Sequence, residues 1–455
     1  MLINASPCTY RDYGSCIIAF SNANRSHFIL QDIYAEFFRA YYINNLDETS
    51  IIKSISKDYG VSESVVSCDL ASFFDEIRLS CSNPNSDSSE SSVHRELSDN
   101  DIYSMMSNAV VPFSATIEIT DACNLKCIHC YRNIPEHSYW NTDTFESVLA
   151  SLKSLGTLHL TLTGGEPFLH PNFKDFLRLV NQYGFVLTLQ TNATFDVLPV
   201  IDQLTNMPLK DIAISLYSTS PKIHDAITGE NGSCEKTIEG LTLLTQNGIP
   251  VTVNCPVMSV NRNDMQLVKN FSDSLGIPCN FSFKIIPSQN MDKDTQRLNC
   301  FSADFLYECI VDPKINLYKA LLPDIRKTVP GDRYCQTGFR SITFDAQGNA
   351  LLCNAYRKVC GCLKDKSVEQ IWTSSKELLE WRNNTSKTNS KCKSCKAFAY
   401  CEPCPAHEYT LTGKEDSVDE LTCSFGKSFF DADERVCSKH KGGEKSERVQ
   451  SDQYL

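Results

Sequence analysis

Cys123, Cys127 and Cys130 stand in CxxxCxxC spacing directly behind a strand-like run, Thr116 to Thr120, and no other feature limits the fold as strongly. Three thiolates on one loop can hold three irons of a cubane [4Fe–4S] cluster, since soft sulfur ligands favour such clusters, and one iron then stays open. A structural zinc ion is the alternative, although it wants four ligands and a closed shell. The chain holds 22 Cys. Where thiols are kept reduced, clustered cysteines read as metal ligands rather than disulfides.

Behind this loop, strand-like runs alternate with helical stretches: His159 to Thr163, Val186 to Thr191, Asp211 to Leu216, Val251 to Val257 and Phe281 to Ile286. Such alternation predicts βα units around a parallel sheet. Together with Thr116 to Thr120 they make six units, an α/β partial (β/α)6 TIM barrel over residues 112–300, with ligands at the carboxyl ends of the strands. The chemistry-bearing motifs fall at the first four of these ends.

With 455 residues the chain has length for about three domains. Residues 1–78 predict a winged-helix-like α+β unit. Cys16 to Phe20 and His27 to Leu30 suggest a hairpin, Asp47 caps a helix that Gly60 ends, and Ser62 caps one with Val66, Leu70, Phe73, Phe74 and Ile77 on a single stripe. Residues 79–111 are rich in Ser, Asn and acidic side chains and read as a flexible linker. Residues 301–430 form a bridging region and a Cys-rich domain held by metal more than by a large core, and 431–455 a polar tail. A net charge of −12 opposes nucleic acid, and no apolar run approaches the ~20 residues that span a bilayer. The amino terminus has no secretory pattern, so the expected location is the cytoplasm.

Cys123-x3-Cys127-x2-Cys130, followed one βα unit later by Thr163-Gly164-Gly165-Glu166-Pro167, resembles the radical S-adenosylmethionine (SAM) superfamily. The resemblance implies that the three Cys carry the catalytic cluster and that its open iron chelates SAM, whose reductive cleavage gives a 5′-deoxyadenosyl radical. It further implies that Gly164, Gly165, Glu166 and Pro167 line the methionyl group, that Asn192 and Ser215 line the rest of the pocket, and that His129 lies near adenine. For His129 a plain packing role is an equal reading, and for Asn192 and Ser215 strand-end capping is the commoner one. The stretch His224-Asp225 to Gly229 with Gly232-Ser233 is also similar to the peptide-modifying branch, without a derivable role.

Cys335-x12-Gly348-x4-Cys353, Cys392-x2-Cys395-x5-Cys401-x2-Cys404 and Cys423 resemble the SPASM extension, which implies two auxiliary [4Fe–4S] clusters. The family's interleaving assigns Cys335, Cys353 and Cys404 to the first and Cys392, Cys395, Cys401 and Cys423 to the second. Cys360 or Cys362 fills the vacancy in the first, or its open iron takes a substrate thiolate. Asn354 follows Cys353 where sulfatase-maturing members carry an Asp base, and an amide cannot accept that proton. Cys8, Cys16, Cys68, Cys81, Cys234, Cys255, Cys279, Cys300, Cys309 and Cys437 read as buried small hydrophobes.

Leu46-Asp-Glu-Thr-Ser, Tyr59-Gly-Val-Ser and Val65 to Ile77 are similar to the PqqD-like precursor-recognition element, which implies that a leader peptide adds as a strand to the wing. The expected activity is therefore a maturase of a ribosomally made peptide, forming a thioether or another side-chain crosslink, with flavodoxin or ferredoxin as electron donor. A maturase of a folded protein of the sulfatase type, a quinone-cofactor builder and, from another class, a non-catalytic metal-binding adaptor are the alternatives.

Overall fold

The structure is a computed structural model that describes residues 7–81, 110–132, 137–287, 297–315, 335, 337–383, 392, 394–401, 404–414 and 420–441. The amino-terminal sheet is antiparallel, in the order β1 (Thr9–Asp12), β2 (Cys16–Phe20), β3 (His27–Gln31). The β2–β3 hairpin was expected, whereas β1 lacks a continuous apolar run. Three helices follow: α1 (Asp32–Phe38), α2 (Glu48–Tyr59) and α3 (Glu63–Ser80). The Asp47 carboxylate accepts the Ser50 amide and Gly60 closes α2 at φ 66°. Ser62 stands at the cap of α3, yet its hydroxyl pairs with Ser64 at 2.9 Å instead of a backbone amide. α3 also runs past residue 78 into the expected linker, whose residues 82–109 lie outside the described ones.

All of β2 is buried, because its alternating side chains serve two cores. Ile17 and Ala19 face the helices, with Phe37, Phe38, Leu70 and Phe73. Cys16, Ile18 and Phe20 face Phe113, Leu158 and Val186, at and just before the amino ends of the barrel strands. Polar contacts rim that second core: Arg11 Nε donates to Thr157 O at 2.7 Å, Tyr13 Oη donates to Gly156 O at 2.7 Å, and the His27 and His159 Nε2 atoms meet at 2.7 Å. The amino-terminal unit thus plugs the end of the barrel opposite the cysteine loop.

The barrel sheet contains β4 (Ser114–Thr120), β5 (His159–Gly164), β6 (Val186–Thr191), β7 (Leu209–Ser215), β8 (Val251–Pro256) and β9 (Cys279–Ser282), all parallel and in chain order. The intervening helices are α4 (Thr142–Ser154), α5 (Phe173–Tyr183), α6 (Ile201–Thr205), α7 (Pro221–Thr228), α8 (Ser233–Gln246) and α9 (Met265–Ser274). One strand is displaced from its expected position. Phe281 to Ile286 predicts the sixth, but β9 ends at Ser282, and Phe283 and Ile285 bury in clusters beside the sheet. An apolar run marks burial, which helices supply here as well as strands would.

After α10 (Ala303–Val311) the sheet grows in the other direction. β10 (Ser341–Phe344) pairs parallel with β4, and β11 (Asn349–Leu351) and β12 (Val359–Cys362) add antiparallel, giving nine strands. Gly348 turns β10 into β11 at φ 82°, which explains a glycine at that place in the cysteine spacing. Ile342, Phe344, Ala350 and Leu352 join the barrel core, so the carboxy-terminal region rests on apolar packing more than its cysteines suggest. α11 (Val368–Ser374), α12 (Lys376–Asn383), α13 (Pro405–Thr412) and α14 (Glu420–Lys441) complete the chain. α14 buries Phe425, Phe429 and Ala432 against Leu306 and Cys309 of α10, so the expected tail from 431 begins as packed helix.

Candidate active site

Cys123, Cys127 and Cys130 lie on the loop leaving β4, at the carboxyl end of the sheet. The loop is pinned from three sides. Behind β5, Gly165 N donates to Thr120 O and Glu166 N to Ala122 O, both at 2.8 Å. A Cβ on Gly164 would lie 2.1 Å from Thr120 O, and one on Gly165 2.0 Å from Ala122 O, so both positions exclude a side chain. At the end of β6, Asn192 Nδ2 donates to Asn124 Oδ1 at 3.0 Å. From α7, Thr228 O accepts Lys126 N at 2.7 Å and Ile227 O accepts Ile128 N at 2.9 Å. The stretch from His224 to Ser233 acquires its role here: Asp225 accepts Gly232 N, Ser233 Oγ and Cys234 N, closing the α7–α8 turn that backs the loop.

Glu166 is fully buried and takes Thr191 Oγ1 at 2.7 Å, Asn192 N at 2.8 Å and Phe168 N at 3.1 Å. Burial pushes its carboxyl up to about 7 while these three donors oppose the rise. A carboxylate offers about four acceptor positions, so roughly one remains for a ligand. Pro167 starts the turn Pro167–Leu169 that Glu166 caps. Ser215 ends β7, and the Tyr217 hydroxyl lies within electrostatic reach of Ser215 and of the Cys127 thiol. His129 meets the Tyr217 ring edge-to-face at 4.9 Å. Its Nδ1 is shielded without a hydrogen-bond partner, and burial pulls the ring down to about 4, so it is neutral at pH 7.

Cys123 and Cys127 favour their protonated forms. Burial pushes Cys127 up to about 12, with Cys130 and Cys123 adding in the same direction, and raises Cys123 as well. A bound metal reverses this by displacing the protons. Among the described residues no three His, Cys, Asp or Glu side chains converge on a single metal ion. A cubane asks for a wider spread, because each thiolate binds its own iron. The donor set, the pinned loop and the orphaned His129 nitrogen fit a cluster with an organic ligand beside it.

The structure brings the carboxy-terminal cysteines into two groups. Burial pushes Cys353 up to about 12, and Cys404 and Cys335 act on it in the same direction. Cys401 is likewise pushed up to about 12, with Cys423, Cys395 and Cys392 around it. Cys360 has no thiol among the groups that influence it and packs in the barrel core. Cys362 sits on β12 opposite Asn349. Asn354 Oδ1 accepts the Ala355 amide at 3.1 Å. Of the cysteines read as buried, Cys68 and Cys437 are exposed.

A buried ionic network was not foreseen. Glu118, 1% exposed on β4, accepts Arg357 Nη1 at 2.8 Å and Nη2 at 3.1 Å. Arg132 Nη2 is 3.7 Å from Glu118, and Arg357 Nη2 is 3.6 Å from Asp345. Glu118 and Arg132 stand 213 or more positions from Asp345 and Arg357, and charged residues in unrelated segments carry no periodicity that could announce a meeting.

A model of the radical SAM superfamily matches residues 117–271, and a model of the SPASM iron–sulfur cluster-binding domain matches residues 335–396. The chain is similar to the AdoMet-dependent heme synthase of Methanosarcina barkeri, 23% identical over 325 residues covering 65% of this chain and 92% of the relative. It is also similar to the antilisterial bacteriocin subtilosin biosynthesis protein AlbA of Bacillus subtilis, 28% identical over 305 residues covering 65% of this chain and 67% of the relative. Streptococcus suis SuiB bound to precursor peptide SuiA matches in structure with TM-score 0.63 and 14% identity, over 92% of this chain and 99% of that chain. The last likeness speaks to the fold.

Proposed function

We propose that this chain is a radical SAM enzyme with a carboxy-terminal SPASM domain and that it modifies a ribosomally made precursor peptide by hydrogen abstraction. The observation that carries the reading is the extra sheet-and-helix unit at the closed end of the barrel, matched through 92% of the chain by an enzyme crystallised with its precursor peptide. The heme synthase alignment covers 65% of the chain.

Cys123, Cys127 and Cys130 would hold the catalytic [4Fe–4S] cluster, and Gly164, Gly165, Glu166, Pro167, Asn192, Ser215 and His129 would surround S-adenosylmethionine. Together these groups supply a 5′-deoxyadenosyl radical. The residues around them exclude water and fix the loop: Glu166 locks β6 to β5, and Thr228 and Ile227 hold the Lys126 and Ile128 amides. Cys335, Cys353 and Cys404, with Cys392, Cys395, Cys401 and Cys423, would hold the two auxiliary clusters. Cys360, buried apart from the other thiols, fits a missing ligand poorly, which leaves an open iron or Cys362. Thioether formation or another side-chain crosslink suits Asn354, since an amide is no base for oxidising a hydroxyl.

The amino-terminal unit is read as the leader-binding element, taking the leader along an edge of its sheet by backbone hydrogen bonds. Flavodoxin or ferredoxin would deliver electrons in the cytoplasm; among the described residues no helix is long and apolar enough to cross a membrane. Anaerobic reconstitution tests the reading. Wild type should carry iron and sulfide and release 5′-deoxyadenosine under reduction, Cys123→Ala should release none, and a peptide encoded beside the gene should lose two hydrogens per crosslink on co-expression. Stoichiometric zinc with no SAM uptake would return the adaptor reading.

A further inference from the structure

Arg132 is the one buried guanidinium whose Nε, Nη1 and Nη2 all lack a hydrogen-bond partner among the described residues. Its side chain is 8% exposed, and it stands two positions beyond Cys130. Guanidinium brings five N–H donors, and leaving them dry and unpaired is costly, so such a group signals an acceptor that binds there. The neighbouring carboxylates are already committed. Glu118 lies 3.7 Å away but is gripped by both terminal nitrogens of Arg357. Asp345 accepts Gln347 N at 3.0 Å, Asn349 N at 2.8 Å and Asn349 Nδ2 at 3.0 Å.

We infer that Arg132 is a carboxylate-binding subsite, and that the carboxylate belongs to an acidic side chain of the peptide substrate. A planar fork of donors matches a carboxylate in bidentate fashion. Position decides between the two carboxylates that could come here, the substrate's and that of SAM. The residues read as the SAM pocket end β5, β6 and β7, whereas the carboxylate beside Arg132, Glu118, stands on β4 and is itself clamped by Arg357 from the turn behind β11. Arg132 therefore stands, through Glu118, on the side of the cluster loop that Arg357 joins from behind β11, away from the strand ends read as the SAM pocket. The inference rests on the peptide-modifying reading above and gives it a selectivity: an Asp or Glu near the modified residue.

Binding of the acetylated, amidated tripeptides Ala-Glu-Ala and Ala-Gln-Ala to the reconstituted holoenzyme with SAM present tests this, by isothermal titration under anaerobic conditions. Wild type should prefer the Glu peptide about tenfold, Arg132→Gln should lose the preference, and Arg132→Lys should keep part of it. SAM affinity and peptide-independent 5′-deoxyadenosine release should be unchanged in both variants. Equal binding of the two peptides by wild type overturns the inference without any variant. So does a tenfold loss of SAM affinity in Arg132→Gln, which would assign the carboxylate to SAM, or a shifted cluster potential with the peptide preference intact, which would make the cluster the acceptor. Absence of deoxyadenosine from wild type would instead sink the radical SAM assignment itself.

Discussion

Gly165 and Tyr217 act on the cysteine loop in different ways, and substitution separates them. A Cβ at Gly165 would meet Ala122 O at 2.0 Å, a backbone atom that cannot rotate away. Gly165→Ala should cost ~1–3 kcal/mol through forced displacement and should lower the iron-to-protein ratio after reconstitution. Tyr217→Phe keeps the ring against His129 and removes only the hydroxyl near Ser215 and the Cys127 thiol. Iron content should hold, while the catalytic cluster's midpoint potential falls, because a hydroxyl near a ligand sulfur stabilises the more negative, reduced state. Redox-titrated EPR measures that shift. Neither effect is visible in the Gly-Gly-Glu-Pro or Ser-Leu-Tyr strings, since both depend on which backbone and which thiol lie opposite.

Where β3 meets β5, His27 and His159 share a contact that ties the amino-terminal sheet to the barrel. Burial first, then the His27 charge, holds His159 well below its ordinary value of 6.5, so the docked state disfavours its protonation. The stability this pair contributes is present above pH 6.5 and is lost as the pH falls below that value. Amide protection factors in β3 and β5, exchange rates divided into the intrinsic rate at each pH, should therefore be smaller at pH 5.5 than at pH 7.5, and a His159→Leu variant should show a smaller drop. At the other end of the sheet, Arg357 clamps the turn behind β11 to β4 through Glu118. Arg357→Met leaves a carboxylate buried, with Arg132 at 3.7 Å as its nearest cation, and should cost ~3–5 kcal/mol, read as a lower thermal midpoint.

Taken as one body, the protein stacks three layers along the barrel axis: the amino-terminal unit at the closed end, the sheet and its helices, and the cysteine clusters at the open end. β10 extends the barrel sheet next to β4, so the β10–β12 segment shares the barrel's core. The second cysteine group belongs to the part built around α10 and α14, a smaller core. Chelation of iron from the holoenzyme should therefore loosen 392–441 before it loosens β10–β12. Exchange mass spectrometry on holo and chelated protein reads that order directly, and simultaneous loosening would contradict it.

The alternation of apolar runs with polar strand ends, the cap at Asp47, the stop at Gly60 and the cysteine spacings were legible in the chain because each is a local pattern, a matter of period or of neighbours a few residues apart. What required the folded molecule were the meetings of distant segments: β10 beside β4, Glu118 beside Arg132 and Arg357, the hydroxyl of Tyr217 near Cys127, and the true end of β9. A period can say that a residue is buried, but the partner it is buried against is set by how the layers close. That closure placed, beside the cysteine loop, an arginine whose nitrogens have no hydrogen-bond partner among the described residues.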